Sequence, residues 1–246
     1  MITKNQIKYI QSLQLKKNRV LHESFIVEGA KNMLELLNSD FTIELIFVTA
    51  QFYKENRNAL DKQNIPIEII SINELERLGT FSSNNAAIAV VKTKQKGKVL
   101  AENDLVLVLD DIRDPGNLGT IIRIADWYGI NKIVCSENTV DFYNPRVISA
   151  TMGSFLRVKL FYTDLEHYFK ECKPKYLAGA VMNGNSIYES NLSKSGYLVI
   201  GNESNGISEC ILAMLTQKLT IPKRGGAESL NAGVATAILL DNFFRK

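Results

Sequence analysis

The chain has 246 residues and a net charge of +3; 46% of its residues are hydrophobic and 22% charged, as in an ordinary soluble globular protein. No apolar run reaches the roughly 18–20 residues that span a bilayer, and the N-terminus has no signal-peptide core. Three widely spaced cysteines and two histidines argue against a disulfide framework or a metal site, and favour a reducing cytoplasm.

Positive charge is concentrated near the N-terminus. In residues 1–24 one acidic residue, Glu23, faces five basic ones: Lys4, Lys8, Lys16, Lys17 and Arg19. Residues 101–246 are nearly neutral, with 15 basic and 16 acidic side chains. A basic segment on a neutral body is compatible with a polyanionic partner, and equally with a solvated helix face.

The first 92 residues alternate helical and extended patterns. Helices are predicted from Lys4 to about Lys17, at 30–37, around 53–63 and near 73–78. Extended segments are predicted at 25–27, 43–48, 67–70 and 86–91. Strands separated by helices favour a mostly parallel sheet with helices packed on it.

A lysine-rich stretch interrupts this pattern at 92–103 and has the composition of a linker. The alternation then resumes. Strands are predicted at 105–110, 131–135, 176–181, 197–200 and 218–221, and helices at 118–128, 145–152, 164–170, 208–215 and 231–245. We therefore expect two α/β domains, at 1–95 and 104–246, joined by a linker at 96–103.

Polar residues follow three of the predicted strands. After the first, Asn117 is a candidate helix N-cap, and Arg123 lies off the buried stripe of the helix, where an exposed pair with Asp126 is the alternative interpretation. After the second, the loop from Gly201 to Gly206 has phosphate-loop spacing, but an isoleucine occupies the position of the required lysine. That substitution argues against a nucleotide triphosphatase.

The loop after the third strand ends in two candidate caps for the last helix, Ser229 and Asn231. Ligands of open α/β sheets bind outside the carboxyl ends of the strands. The three loops therefore predict one crevice, with five candidate side chains: Asn117, Arg123, Glu203, Ser229 and Asn231. No dinucleotide-binding G-x-G-x-x-G follows any predicted strand.

The three segments resemble, in order, the motifs of the SpoU-type RNA ribose 2′-O-methyltransferases: DPGNLGTIIRIADWYG, GNESNGIS and IPKRGGAESLNAGVATAI. The resemblance implies an α/β fold with a C-terminal trefoil-knotted methyltransferase domain. The segment FIVEG and the helix after it resemble the smaller N-terminal substrate-binding domain of that family, an α/β unit like ribosomal protein L30e. Lys223 occupies a position at which many members of the family have an apolar residue.

The resemblance also implies site residues and partners. Catalytic roles fall on Asn117, Arg123, Glu203, Ser229 and Asn231. Contacts with the cofactor, S-adenosylmethionine, fall on Gly201, Ile221, Leu230 and Asn231. RNA-binding residues are expected among Lys16, Lys17, Arg19 and Arg123. A homodimer through the C-terminal domain is expected, without a membrane or a metal.

The activity implied is methylation of a ribose 2′-hydroxyl in RNA. The separate N-terminal domain resembles the ribosomal-RNA branch of the family, which implies ribosomal RNA of the large subunit rather than transfer RNA. Because a guanidinium is a poor proton acceptor, Arg123 is expected to bind a phosphate and orient the 2′-oxygen rather than act as a simple base.

Two other functions remain open at this point. One is a non-catalytic RNA-binding or ribosome-assembly factor that keeps the same fold. The other is a metal-dependent phosphotransferase that uses Asp110, Asp111 and Asp114, although the D-x-D spacing of the common phosphatase loop is absent.

Overall fold

The computed structural model describes residues 2–81, 83–94, 97–101 and 103–245. The chain forms two compact α/β units: Met1–Gln95 with Asp141–Leu156, and Lys96–Val140 with Arg157–Lys246. The sequence analysis placed residues 141–156 in the second domain, whereas in the structure this segment belongs to the first unit. Residues 96 and 102 of the predicted linker, and residue 95 before it, lie outside the described residues.

The helices and strands are numbered in chain order. The helices are α1 (Lys4–Ser12), α2 (Lys16–His22), α3 (Ala30–Leu36), α4 (Ala50–Leu60), α5 (Ile72–Leu78), α6 (Pro115–Trp127), α7 (Pro145–Thr151), α8 (Leu165–Cys172), α9 (Glu209–Leu212) and α10 (Ala232–Phe244). The strands are β1 (Ser24–Glu28), β2 (Ile43–Thr49), β3 (Ile67–Ile70), β4 (Ala87–Lys92), β5 (Leu105–Asp110), β6 (Lys132–Ser136), β7 (Lys159–Thr163), β8 (Leu177–Ser186), β9 (Gly196–Gly201) and β10 (Gln217–Thr220). None of the described helices is long and apolar enough to cross a membrane.

The sheet of the first unit has the order β1-β4-β2-β3. Only β2 and β3 are parallel, and β4 runs antiparallel to both of its neighbours, so the prediction of a mostly parallel sheet is wrong here. The crossover before β4 is short. Helix α5 has seven residues, about 10 Å, whereas the six residues of β4 extend about 20 Å. A helix of that length does not carry the chain back along the sheet.

Arg19 belongs to the core of the first unit, because only 4% of its surface is exposed. Its Nε and Nη2 donate to Asp141 at 3.0 and 2.7 Å, and its Nη1 donates to the carbonyls of Leu13 and Gln14 at 2.9 and 2.8 Å. These bonds hold the turn between α1 and α2, where the sequence predicted one continuous helix. The assignment of Arg19 to an RNA-binding surface is therefore wrong, because its donors are already used.

Glu28, the acidic residue of FIVEG, is also buried. Its carboxylate accepts hydrogen bonds from the backbone N–H of Thr80 at 2.9 and 3.1 Å. Burial raises the pKa of Glu28 above its ordinary value, and the bonds from Thr80 partly oppose that rise. The glutamate therefore fixes the loop after α5 against β1.

The second unit contains a six-stranded sheet of order β10-β8-β9-β5-β6-β7, and every neighbouring pair is parallel. All six residues of β5 are buried, as its continuous apolar sequence predicted. The edge strand β7 was not predicted; Leu160 is its only fully buried residue, so its sequence carries little apolar signal. Because the strands are parallel, their carboxyl ends meet at one edge of the sheet.

Candidate active site

The first loop at this edge joins β5 to α6. The side chain of Asp114 caps the helix by accepting from the backbone N–H of Asn117 at 2.8 Å, and Pro115 occupies the first turn. Asn117 is therefore the third residue of the helix. The prediction from the sequence that Asn117 is the N-cap is wrong. Since Asp114 provides the cap, the amide of Asn117 can bond to other residues.

The amide of Asn117 joins all three loops. Its Nδ2 donates to Oε1 of Glu203 in the second loop, and its Oδ1 accepts from Nδ2 of Asn231 in the third loop at 2.7 Å. The Oδ1 of Asn231 caps α10 by accepting from the backbone N–H of Gly233 and Val234 at 3.0 and 3.3 Å. We call Glu203, Asn117 and Asn231 the amide–carboxylate chain.

Asn202 shapes the loop that carries Glu203, although sequence reasoning did not select it. Its Oδ1 accepts from the backbone N–H of Ser204 and Asn205 at 2.9 and 3.2 Å, and its Nδ2 donates to the carbonyl of Asp111 at 2.8 Å. An asparagine that bonds to the backbone two residues ahead is a known turn signal, so the sequence did contain the information.

Gly201 lies directly before this turn, at the end of β9. A Cβ at this position would lie 2.3 Å from the carbonyl carbon of Gly206 and 2.4 Å from the backbone nitrogen of Ile207. Both obstacles are backbone atoms, so only glycine fits without moving the loop. The close approach explains the glycine independently of any ligand contact.

The acidic residues that follow β5 already have partners in the protein. Asp110 is buried and accepts from the backbone N–H of Ser208 at 2.8 Å, Asp111 pairs with Arg113 at 2.8 Å, and Asp114 caps α6. Ser208 stands at the N-cap of α9, but its side chain makes no capping bond. Across the described ranges, no group of three His, Cys, Asp or Glu side chains could hold a metal ion.

Arg123 lies on the exposed side of α6. It is six residues, or about 9 Å along the helix axis, from Asn117. Within the described part of the chain its side chain makes no hydrogen bond or ion pair, and Asp126 instead pairs with Arg157 at 2.8 Å. The surface pair with Asp126, considered from the sequence, is therefore not formed, and the guanidinium of Arg123 is accessible to a ligand.

The other candidate residues of the third loop are exposed or partly exposed. Ser229 is exposed and has no hydrogen-bond partner among the described residues, so the structure does not join it to the amide–carboxylate chain. Ile221 is half-buried directly after β10, and Leu230 is 45% exposed next to Asn231. Lys16 and Lys17, at the start of α2, are exposed residues of the first unit.

Two family descriptions match the chain. The SpoU rRNA Methylase family matches residues 104–241, and the MRM3-like substrate binding domain matches residues 4–89. The chain is 31% identical to the 23S rRNA (guanosine(2553)-2′-O)-methyltransferase RlmP of Bacillus subtilis (strain 168), over 96% of this chain and 95% of the relative.

Solved structures resemble the chain over nearly its whole length. A protein from Porphyromonas gingivalis assigned to the TrmH family of RNA methyltransferases has a TM-score of 0.86 and 31% identity, covering 100% of this chain and 99% of that chain. The SpoU methyltransferase AviRb from Streptomyces viridochromogenes, solved with the cofactor AdoMet, has a TM-score of 0.85 and 21% identity, covering 98% of this chain and 97% of that chain.

Proposed function

The chain belongs to the SpoU rRNA Methylase family, as its three motifs predicted, and we propose that it transfers the methyl group of S-adenosylmethionine to a ribose 2′-hydroxyl of ribosomal RNA. The observation that carries the proposal is the amide–carboxylate chain, because it joins one residue from each motif by hydrogen bonds. Large-subunit RNA is the favoured substrate, since the relative with 31% identity is named for 23S rRNA.

The residues at the carboxyl edge fit S-adenosylmethionine. Leu230 offers an exposed apolar side chain of the kind that a nucleoside base covers, and Asn231 lies next to it. The loop from Pro222 to Leu230 is exposed, so its backbone groups are available to a polar ligand. We assign the cofactor contacts to Gly201, Ile221, Leu230 and Asn231, and when bound the cofactor supplies an activated methyl group on a positively charged sulfur.

Arg123 is the proposed catalytic residue. When bound, the cofactor would give its methyl carbon to the 2′-oxygen and leave as the neutral thioether, and the hydroxyl proton would pass to bulk water. A guanidinium remains protonated in proteins and does not act as the base. Arg123 instead binds the phosphate beside the target ribose through its fork of N–H donors, and thereby aligns the 2′-oxygen for attack.

The amide–carboxylate chain positions the loops around the nucleophile. Glu203 and Asn117 hold each other rather than Arg123, so their role is to fix the second loop against the first. Asn231 adds the third loop and caps α10. Ser229, which is exposed and has no hydrogen-bond partner among the described residues, is assigned to the cofactor and nucleophile side of the site.

The remaining proposals concern partners and location. We propose a homodimer through the C-terminal unit, supported by the exposed apolar side chains of Trp127 on α6 and Val234 on α10, which are 85% and 49% exposed. Lys16 and Lys17 remain the proposed RNA contacts of the first unit. The trefoil knot and a cytoplasmic location stay predictions; the three free cysteines are compatible with the latter.

Substituting Arg123 tests the proposal. With tritiated S-adenosylmethionine and large-subunit rRNA transcribed in vitro, we expect Arg123→Ala to abolish methyl transfer and to change the Kd for the cofactor by less than threefold, since the guanidinium contacts RNA. Arg123→Lys keeps the charge without the fork and should restore only part of the activity. Arg77→Ala, which removes an exposed arginine of α5, is the control and should match wild type.

Two outcomes would contradict this account. Wild-type turnover by Arg123→Ala would exclude the role given to Arg123. RNA binding by the wild-type protein without any transfer would instead favour the non-catalytic RNA-binding or ribosome-assembly factor.

A further inference from the structure

Lysines cluster at the edge of the second sheet opposite the candidate active site. Because its strands are all parallel, their N-terminal ends share that edge, about 20 Å from the carboxyl ends for a six-residue strand. A lysine occurs at or shortly before the start of five neighbouring strands. We call this set the basic edge: Lys98, Lys132, Lys159, Lys173, Lys175 and Lys194.

The sheet order places these lysines in a row. The row runs from β8, which follows Lys173 and Lys175, through β9, β5 and β6 to β7, which begins at Lys159. Five neighbouring strands extend over roughly 19 Å at about 4.8 Å per step. Lys98, Lys173 and Lys175 also line one cleft of about 780 Å³.

Acidic side chains neutralise only part of the row. Lys98 pairs with Glu171 at 2.7 Å, and Lys132 pairs with Asp104 at 3.0 Å. The other four lysines are exposed and form no ion pair within the described ranges of the chain. Glu102, which also precedes β5, lies outside the described residues. The basic edge therefore keeps a surplus of exposed positive charge.

The opposite edge, which carries the candidate active site, has the reverse composition. Acidic residues at or after its strand ends include Asp110, Asp111, Asp114, Glu137, Asp164, Glu189, Glu203 and Glu228. Basic residues of the corresponding loops are fewer: Arg113, Lys223 and Arg224. A polyanion that approaches this edge meets more acidic than basic side chains, so a positive surface elsewhere on this unit adds to its electrostatic attraction for RNA.

We propose that the basic edge is a second RNA-binding surface of the catalytic unit, which holds the phosphate backbone away from the target ribose. The proposal rests on the proposed function, since it takes RNA as the substrate. Lysines are point charges on flexible stems, which suits phosphate contacts without base recognition. The surface therefore contributes to binding of a long RNA and leaves the chemical step unchanged.

A charge-reversal pair tests the basic edge. Lys173→Glu/Lys175→Glu changes the net charge from +3 to −1. The matched control is Lys54→Glu/Lys62→Glu, which makes the same change at exposed positions in α4 and just after it. For the edge variant, binding of in vitro transcribed large-subunit rRNA should weaken about tenfold, with a salt slope smaller by about 2. The KM for RNA should rise in parallel, while kcat and the Kd for S-adenosylmethionine stay within twofold.

The outcomes separate this inference from the proposed function. If the edge variant and the control bind RNA alike, with equal salt slopes, or if the edge variant loses kcat rather than RNA affinity, the inference is overturned. If the wild-type protein transfers no methyl group but the edge variant alone loses RNA affinity, the proposed function fails and the basic edge remains an RNA-binding surface.

Discussion

At the scale of single residues, Asn117 is the side chain on which the site depends most. It donates to a carboxylate, Glu203, and accepts from an amide, Asn231. Among short side chains, only asparagine offers a donor and an acceptor on one planar group. An aspartate at this position would have no N–H to donate and would place a second negative charge against Glu203. The site therefore requires the amide of Asn117 and not only a side chain of the same size.

Replacing Asn117 by alanine should disturb the positions of the three loops rather than weaken the binding of RNA. The change leaves Glu203 without its donor and Asn231 without its acceptor, so the loops shift relative to each other, and a displacement of about 1 Å can cost about 100-fold in rate. We expect kcat to fall by about that factor, with the Kd for RNA within threefold, as measured by single-turnover methyl transfer and filter binding. Asn205→Ala, in the same turn as Glu203, removes an exposed amide and should retain wild-type kcat; an equal loss in the two variants would contradict the assignment.

The sequence predicts the place of a residue well where that residue lies in a loop after a predicted strand. It brought Asn117, Glu203 and Asn231 to one crevice, because each follows a strand of a parallel sheet. It failed for Arg19, whose partner Asp141 lies 122 positions further along the chain, so nothing near Arg19 signals burial. It also placed the helix cap at Asn117 rather than at Asp114, since each has a side-chain oxygen that can cap a helix.

At the scale of elements, strands that are buried on both sides were the easiest to predict. The apolar runs of β5 and β9 gave their positions to within one or two residues. The edge strand β7 was missed because it has one fully buried residue. The predicted direction of the strands in the first unit was wrong. The alternation of helices and strands does not specify how far a short helix carries the chain back along the sheet.

Helices α6 and α10 pack closely through small residues. A Cβ added at Gly233 would lie 2.9 Å from Cγ2 of Thr120 on α6 and 3.2 Å from Oδ1 of Asn231. The absence of a side chain at Gly233 therefore permits the close packing of α10 against α6. It also keeps Asn231 within reach of Asn117 on the other helix.

This contact predicts that the effect of Gly233→Ala on stability changes sign when the methyl group of Thr120 is removed. We expect Gly233→Ala to lower the free energy of unfolding by about 1–3 kcal/mol through overpacking, in urea titrations followed by far-ultraviolet circular dichroism. In a Thr120→Ser background the methyl is absent, so the substitution should become neutral or gain about 0.5–1 kcal/mol from helix propensity. The same loss in both backgrounds would show that Thr120 is not the obstacle.

At the scale of the whole molecule, the second unit has opposite charges at its two sheet edges. The active-site edge is rich in carboxylates that are used for capping, turns and the bond to Asn117. In the described part of the chain, two lysines of the basic edge form ion pairs, and the other four are exposed without one. The net charge of +3 conceals this separation, because it sums over both edges and over the first unit.

The central claim is that the chain methylates a ribose 2′-hydroxyl of ribosomal RNA. The most direct test incubates large-subunit rRNA transcribed in vitro with the protein and S-adenosylmethionine whose methyl group carries deuterium, followed by digestion to nucleosides and mass spectrometry. The account predicts the deuterated methyl on the ribose of one nucleoside, and none with Arg123→Ala. A deuterated methyl on a base, or an unlabelled RNA after incubation with a cofactor-binding wild-type protein, would contradict it.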